Sequence, residues 1–240
     1  MHSLLIRYGN FLFKYRNTLF PVVLLILFVL FRPVPYPDAA TDWRMDLAGI
    51  LITLAGQGLR AAVIGLAYIK RGGVNKKIHA DSLVTTGLFA HCRNPLYTGN
   101  FLILTGLLII FNNPWAYLAG GGFFIFSYAA IVHAEETFLL QKFGQEYERY
   151  CRDVNRWTFT TRGLNETLKS MEFNWVRVLY KDYTTMLTWI VTVILSLNLE
   201  HVYFYGLQQS YRYSLHSVAV LAGVILLAGV VRGLKKARAW

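Results

Sequence analysis

Residues 45–69 read MDLAGILITLAGQGLRAAVIGLAYI, a run in which Asp46 and Arg60 are the only charged side chains. A helix that crosses the hydrocarbon core of a bilayer needs about 20 mostly apolar residues. This run is therefore predicted to be a transmembrane helix.

Apolar runs of similar character lie on both sides of it. The further predicted spans are Thr18–Phe31, Pro95–Asn112, Trp115–His133, Thr184–Phe204 and Leu215–Val231. Residues 3–17 carry apolar and polar side chains on opposite helical faces, which is typical of a helix lying in the membrane interface. The predicted fold is all-α: a polytopic transmembrane helical bundle of about six spans, preceded by an interfacial amphipathic helix, in a single integral membrane domain over residues 1–240.

The distribution of positive charge predicts the orientation of the bundle. With the N-terminus placed in the cytoplasm, the inner segments 1–17, 70–94, 134–183 and 232–240 hold 20 of the 24 Lys and Arg residues. Positively charged residues concentrate on the cytoplasmic side of membrane proteins. Both termini are thus predicted to be cytoplasmic, and the net charge of +11 indicates contact with anionic membrane lipids, with no nucleic-acid partner.

The two cysteines, Cys92 and Cys151, fall in predicted cytoplasmic segments, where disulfides are rare. Two cysteines are too few for a zinc site, and no metal site is predicted.

One charged residue and one amide lie inside the span of residues 45–69. Arg60 and Gln57 are one helical turn apart. A basic residue inside a span usually faces a polar cavity or a partner, although a long side chain near the helix end can also reach the membrane surface. We interpret the pair as candidate acceptor-binding residues, with Arg60 positioning an anionic group.

Two segments beside predicted spans carry further candidates. Asn94 followed by Pro95 has the pattern of a helix N-cap and first helical residue, and Arg93 stands beside it. A helix N-terminus with an adjacent cation can bind an anion. Glu135 and Glu136 follow the span Trp115–His133 and could equally be a solvated surface pair.

Together these segments resemble the isoprenylcysteine carboxyl methyltransferase family, which is grouped with the phospholipid N-methyltransferases. The first block is Leu83-Val84-Thr85-Thr86-Gly87-Leu88-Phe89 with Arg93-Asn94-Pro95-Leu96-Tyr97-Thr98-Gly99, and the second is Glu135-Glu136 with Phe143-Gly144-Gln145-Glu146-Tyr147-Glu148-Arg149-Tyr150. The resemblance covers a core of about residues 45–160 and leaves an extra C-terminal helical hairpin, about 184–231, without a counterpart.

The resemblance implies that the blocks enclose S-adenosylmethionine at the cytoplasmic face. The residues it implicates in cofactor binding are Asp81, Ser82, Leu83, Val84, Phe89, Asn94, Pro95, Leu96, Tyr97, Glu135 and Glu136. Arg93 and Arg60 are the candidate catalytic residues, one near the methionine carboxylate and one near the acceptor.

Three positions depart from the family pattern. Asn94 stands where the family has His, Phe89 where it has Tyr, and Ile131 where members acting on prenylcysteine carry an Arg. The resemblance thus predicts a membrane S-adenosylmethionine-dependent methyltransferase with a lipophilic or lipidated acceptor, most similar to isoprenylcysteine carboxyl O-methyltransferases. N-methylation of a lipid amine, S-methylation of a thiol and a non-catalytic membrane scaffold remain alternatives.

Overall fold

The computed structural model describes residues 2–66 and 78–237, and its regular structure there is helical. The helices are α1 (His2–Leu30), α2 (Ala39–Leu66), α3 (Pro95–Phe111), α4 (Pro114–Phe143, with a π-helical turn at Tyr117–Gly121), α5 (Gln145–Asp153), α6 (Leu164–Lys169) and α7 (Trp175–Ala237). A short 3-10 helix, Gly87–Ala90, precedes α3. The predicted all-α bundle is confirmed, and the last predicted residues of the second span, 67–69, lie outside the described part.

Within the described residues, four helices, α1, α2, α4 and α7, are long and apolar enough to cross a membrane. Helix α3 is shorter, with 17 residues. Helix α7 has 63 residues and is broken at Gly206, where φ is +74°. A positive φ is readily adopted by glycine because glycine has no Cβ.

Contacts between its two halves show that α7 folds back on itself at Gly206. The Asn198 side chain donates to Ser214 Oγ at 3.1 Å, and Lys235 Nζ donates to the carbonyl oxygen of Tyr180 at 2.8 Å. The two halves therefore run antiparallel and correspond to the two C-terminal spans that the sequence predicts.

Residues 3–17 and the apolar run after them form one continuous helix, α1. The separate interfacial helix of the sequence prediction is instead the first part of this helix. Gly9, Leu12 and Phe13 of this segment are buried, and Gly9 packs so closely on α4 that an added Cβ would come 2.2 Å from the carbonyl oxygen of Ala130. Burial against α4 thus holds the amphipathic segment in line with the apolar one.

An aromatic cluster joins α1, α3 and α4. The ring of Tyr128 on α4 lies 5.3 Å from that of Phe20 on α1, 5.5 Å from that of Tyr97 and 5.1 Å from that of Phe101 on α3, measured between centroids. Aromatic pairs at these separations attract each other beyond their area burial. This cluster fixes the three helices that surround one side of the site described below.

Helices α2 and α3 pack closely because small residues face each other along their interface. A Cβ at Gly56 would lie 2.6 Å from the carbonyl oxygen of Gly99, and one at Gly106 would lie 2.3 Å from that of Gly49. Small residues at helix interfaces allow backbones to approach closely in membrane bundles. The register of α2 on α3, and hence the position of Arg60, depends on this contact.

We expect Gly56→Ala to destabilise the protein by about 1–3 kcal/mol, because the new methyl group would overlap backbone atoms that cannot move independently. Gly58→Ala is the matched control, since a Cβ at Gly58 has no neighbour within 4 Å. Thermal unfolding in detergent should separate the two variants, and equal midpoints would contradict the close packing.

Candidate functional site

A cavity of about 720 Å³ lies between α1, α2, α3, α4 and the first half of α7. Its lining on α3 runs from Pro95 to Leu107, a rise of about 18 Å along the helix. Charged and polar side chains, including Asp81, Asn94 and Glu135, line the end near Pro95, whereas Leu24 and Phe124 are among the apolar residues that line the rest. The cavity therefore connects a polar end with the apolar interior of the bundle.

Asn94 and Pro95 begin α3 as the sequence predicts, with Asn94 at the N-cap and Pro95 in the first turn. The Asn94 side chain does not cap the helix. Its Nδ2 donates to the carbonyl oxygen of Arg156 at 3.2 Å and faces Glu136 Oε1 at 3.4 Å. The backbone N–H of Arg93 donates to the carbonyl oxygen of Asn155 at 2.9 Å. The chain after α5 thus fixes the entry into α3.

The two adjacent glutamates have different surroundings because neighbouring residues on a helix point about 100° apart. Glu135 lines the cavity and accepts a hydrogen bond from the Tyr97 hydroxyl at 2.8 Å. The same hydroxyl accepts from Arg16 Nη1 at 2.5 Å. Glu135 is thereby held in place by a chain of two hydrogen bonds that begins on α1.

Glu136 is not among the residues that line the cavity. Its carboxylate is paired with Arg156, at 2.5 Å between Nη2 and Oε2, and lies 3.6 Å from Arg93 Nε. It also faces the Asn94 amide. Glu136 therefore holds the loop after α5 against the start of α3.

Arg60 lines the cavity and forms an ion pair with Asp182 of α7, whose side chain is fully buried. Arg60 Nη1 also donates to Asn100 Oδ1 at 2.6 Å. Gln57 lies behind it, donating to Asp182 Oδ2 at 2.7 Å and accepting from Trp189 Nε1 at 3.0 Å. The charge of Arg60 thus has a partner inside the bundle.

The structure brings most of the predicted site residues to one cavity. Those that line it are Arg60, Asp81, Phe89, Arg93, Asn94, Pro95, Leu96, Tyr97 and Glu135. Gln57, Ser82, Leu83, Val84 and Glu136 are not among its lining residues.

Leu83 and Val84 pack in hydrophobic clusters beside the cavity, and Ser82 is exposed. Ile131, at the position where the resemblance expects an Arg in prenylcysteine methyltransferases, is fully buried in the core between α1, α3 and α4. No cation is therefore supplied from this position.

The residues not predicted from the sequence include Arg16, Asn100 and Trp189, which line the cavity, and Asp182, which pairs with Arg60. One feature of the sequence could have identified Asp182 as a site residue: it is an acidic residue at the edge of an apolar run, within a strongly basic segment. Nothing in the sequence identified Arg16 as a site residue, because the amphipathic pattern of residues 3–17 also fits a helix on a membrane surface.

The chain is similar in sequence to a known protein family and to several known proteins. The family model for phospholipid methyltransferases matches residues 46–146. The chain is 30% identical to human protein-S-isoprenylcysteine O-methyltransferase, over 50% of this chain and 43% of the relative. It is 26% identical to protein-S-isoprenylcysteine O-methyltransferase A of Arabidopsis thaliana, over 55% of this chain and 68% of the relative.

A probable protein-S-isoprenylcysteine O-methyltransferase of Oryza sativa subsp. indica is 25% identical over 50% of this chain. The match covers 64% of that relative, so less than two thirds of its length is represented. No solved structure matches the chain. The resemblance predicted from the two sequence blocks is confirmed.

Proposed function

Because residues 46–146 match the phospholipid methyltransferase family and the chain is similar to isoprenylcysteine O-methyltransferases, we propose that it is an integral membrane methyltransferase. It takes the methyl group from S-adenosylmethionine and gives it to a lipophilic acceptor, a prenylcysteine-like carboxylate. The observation that carries the proposal is that residues of both sequence blocks line one cavity that is polar at one end and apolar elsewhere.

The donor set at the polar end fits the proposed cofactor. A glutamate suits ribose hydroxyls or the amino group of methionine, and Glu135 is held in position by Tyr97. Arg93 and the start of α3 suit the methionine carboxylate. Phe89 and Leu96 also line the cavity and offer apolar surface to adenine.

S-adenosylmethionine supplies a methyl group activated by the positive sulfur. The task of the protein is then alignment of donor and acceptor and exclusion of water. The apolar remainder of the cavity suits a lipophilic acceptor that enters from the membrane. A carboxylate acceptor needs no general base, whereas an ammonium acceptor must first lose a proton.

The test is incubation of the purified protein with methyl-labelled S-adenosylmethionine and lipid extract, or with a farnesylated cysteine analogue. At a cofactor concentration near the wild-type dissociation constant, we expect labelled product from the wild type and much less from Glu135→Gln. Absence of both cofactor binding and labelled product in a folded sample would contradict the proposal.

The surroundings of Arg60 and Ile131 favour a second candidate, methylation of a lipid amine. Arg60 is already neutralised by Asp182, and Ile131 is buried in the core, so neither offers an unpaired cation to an acceptor carboxylate. Alkaline treatment of the labelled product distinguishes the two candidates. A methyl ester releases labelled methanol, whereas an N-methyl group is retained.

We also propose that both termini and the polar end of the cavity are cytoplasmic, on the strength of the distribution of Lys and Arg. Cys151 on α5 is half-buried, whereas Cys92 is fully buried, and burial raises the pKa of the Cys92 thiol. Since thiolates are the reactive form of cysteine, Cys151 alone should react at neutral pH.

We therefore expect a membrane-impermeant maleimide to label the wild-type protein in permeabilised cells but not in intact cells. Cys151→Ser should abolish this labelling, and Cys92→Ser should leave it unchanged. Labelling of Cys151 from outside intact cells would contradict the orientation.

A further inference from the structure

Three carboxylates from two helices converge near the start of α2, at the end of that helix away from Arg60. Asp42 and Asp46 lie one turn apart near the start of α2, and Glu200 comes from the first half of α7. One carboxylate oxygen of each lies within 4.8 Å of the others. Arg60 follows Asp46 by 14 positions on α2, which corresponds to about 21 Å along the axis.

Glu200 is the feature that requires an explanation. Glu200 is only 3% exposed, and neither of its carboxylate oxygens has a hydrogen-bond partner. Oδ1 of Asp46 is likewise buried without a partner. Asp42 accepts one hydrogen bond, from the backbone N–H of Tyr36 at 2.8 Å.

Within residues 2–66 and 78–237, no Lys, Arg or His forms an ion pair with any of these three carboxylates. Like charges at such separations repel strongly where water is excluded. A buried charge that is neither paired nor hydrogen-bonded is costly. Either a bound cation or protonation of the carboxylates must therefore offset this repulsion.

We propose that Asp42, Asp46 and Glu200 bind a divalent cation with a preference for oxygen ligands, of the Ca²⁺ or Mg²⁺ class. Carboxylate oxygens are the ligands that these ions prefer, and Ca²⁺ binds them at about 2.3–2.6 Å. Two oxygens on one Ca²⁺ can thus be up to about 5.2 Å apart, and the three carboxylate oxygens lie within 4.8 Å of one another.

The bound ion would link the hairpin of α7 to α2 through carboxylate ligands from both helices. Glu200 lies six positions before Gly206, where α7 turns, and Asp42 and Asp46 belong to the helix that carries Arg60. A cation at this point would therefore act on the stability of the bundle and not on the chemistry in the cavity.

The experiment uses the purified full-length protein in detergent, freed of metal with EDTA. We expect Ca²⁺ or Mg²⁺ to raise the thermal midpoint by roughly 5–10 °C at about 100 times its dissociation constant, whereas K⁺ at equal ionic strength should not. Equilibrium dialysis with labelled Ca²⁺ measures binding independently of unfolding. Both signals should disappear in Glu200→Gln and in Asp46→Asn.

Asp38→Asn is the matched control. Asp38 stands just before α2 and accepts hydrogen bonds from Ala40 and Thr41, but it is not part of the cluster. This variant should keep the metal-dependent shift.

Without metal, Glu200→Gln should be no less stable than the wild type, because it removes an uncompensated charge. This comparison separates loss of the ion from failure to fold. No shift and no binding in the wild type would overturn the proposal, as would full binding in both cluster variants. An infrared band of a protonated carboxyl at saturating Ca²⁺, lost in Glu200→Gln, would show that protons balance the charge instead.

Discussion

Replacing Arg60 with methionine is expected to destabilise the protein by about 3–5 kcal/mol, the usual effect of removing one member of a buried ion pair. Asp182 has a fully buried side chain, and without Arg60 its charge would be left with the Gln57 amide as a neutral partner. Thermal or denaturant unfolding in detergent measures the loss.

The double variant Arg60→Met with Asp182→Leu should recover most of that stability, because apolar residues of similar volume often replace a buried ion pair at little cost. Arg212→Met is the control for removing an arginine charge. Arg212 is exposed on the second half of α7, so its replacement should change stability by less than about 0.5 kcal/mol. An unchanged midpoint in Arg60→Met would contradict the buried pair.

The double variant also tests the proposed role of Arg60 toward the acceptor. In the single variant, a loss of activity could reflect unfolding alone. The double variant has its stability restored, so its kinetics are not affected by unfolding. A rise in its KM for the acceptor, with unchanged cofactor affinity, would assign acceptor binding to this pair. Unchanged kinetics would show that Arg60 and Asp182 have only a structural role, which is to hold α7 against α2.

The sequence predicted the helices and the start of α3 because these features depend on local patterns. Apolar length identifies a span, and Asn94-Pro95 marks a helix start from two adjacent residues. Helix α4 continues through Glu135 and Glu136 to Phe143, ten residues beyond the predicted span. Hydropathy detects where a helix leaves the hydrocarbon, and it does not detect where the helix ends.

The partners of Arg60 and Glu135 could not be predicted, because the contacts join distant parts of the chain. Asp182 is separated from Arg60 by 122 residues, and Arg16 is separated from Tyr97 by 81. Apolar periodicity shows which face of a helix is buried, but it does not show which polar residue of another helix will meet that face. The same limit applies to Glu200 and Asp46.

Glu135 and Glu136 are adjacent in sequence, yet opposite consequences are expected from changing them. Glu135→Gln should weaken S-adenosylmethionine binding about 10- to 100-fold, since hydrogen bonds to a charged group contribute about 1.5–3 kcal/mol. Its stability should change little, because the amide oxygen can still accept from Tyr97. Calorimetry on the detergent-solubilised protein measures the affinity.

Glu136→Gln should instead lower the unfolding midpoint, because Arg156 and Arg93 would lose their shared carboxylate. At a temperature where this variant is folded, its cofactor affinity should stay within a few-fold of the wild type, since Glu136 does not line the cavity. Glu148→Gln, an exposed change on α5, is the control and should alter neither property. The opposite result would be loss of cofactor binding in Glu136→Gln and its retention in Glu135→Gln. In that case Glu135 would not bind the cofactor, and the proposed orientation of the cofactor at the polar end would be wrong.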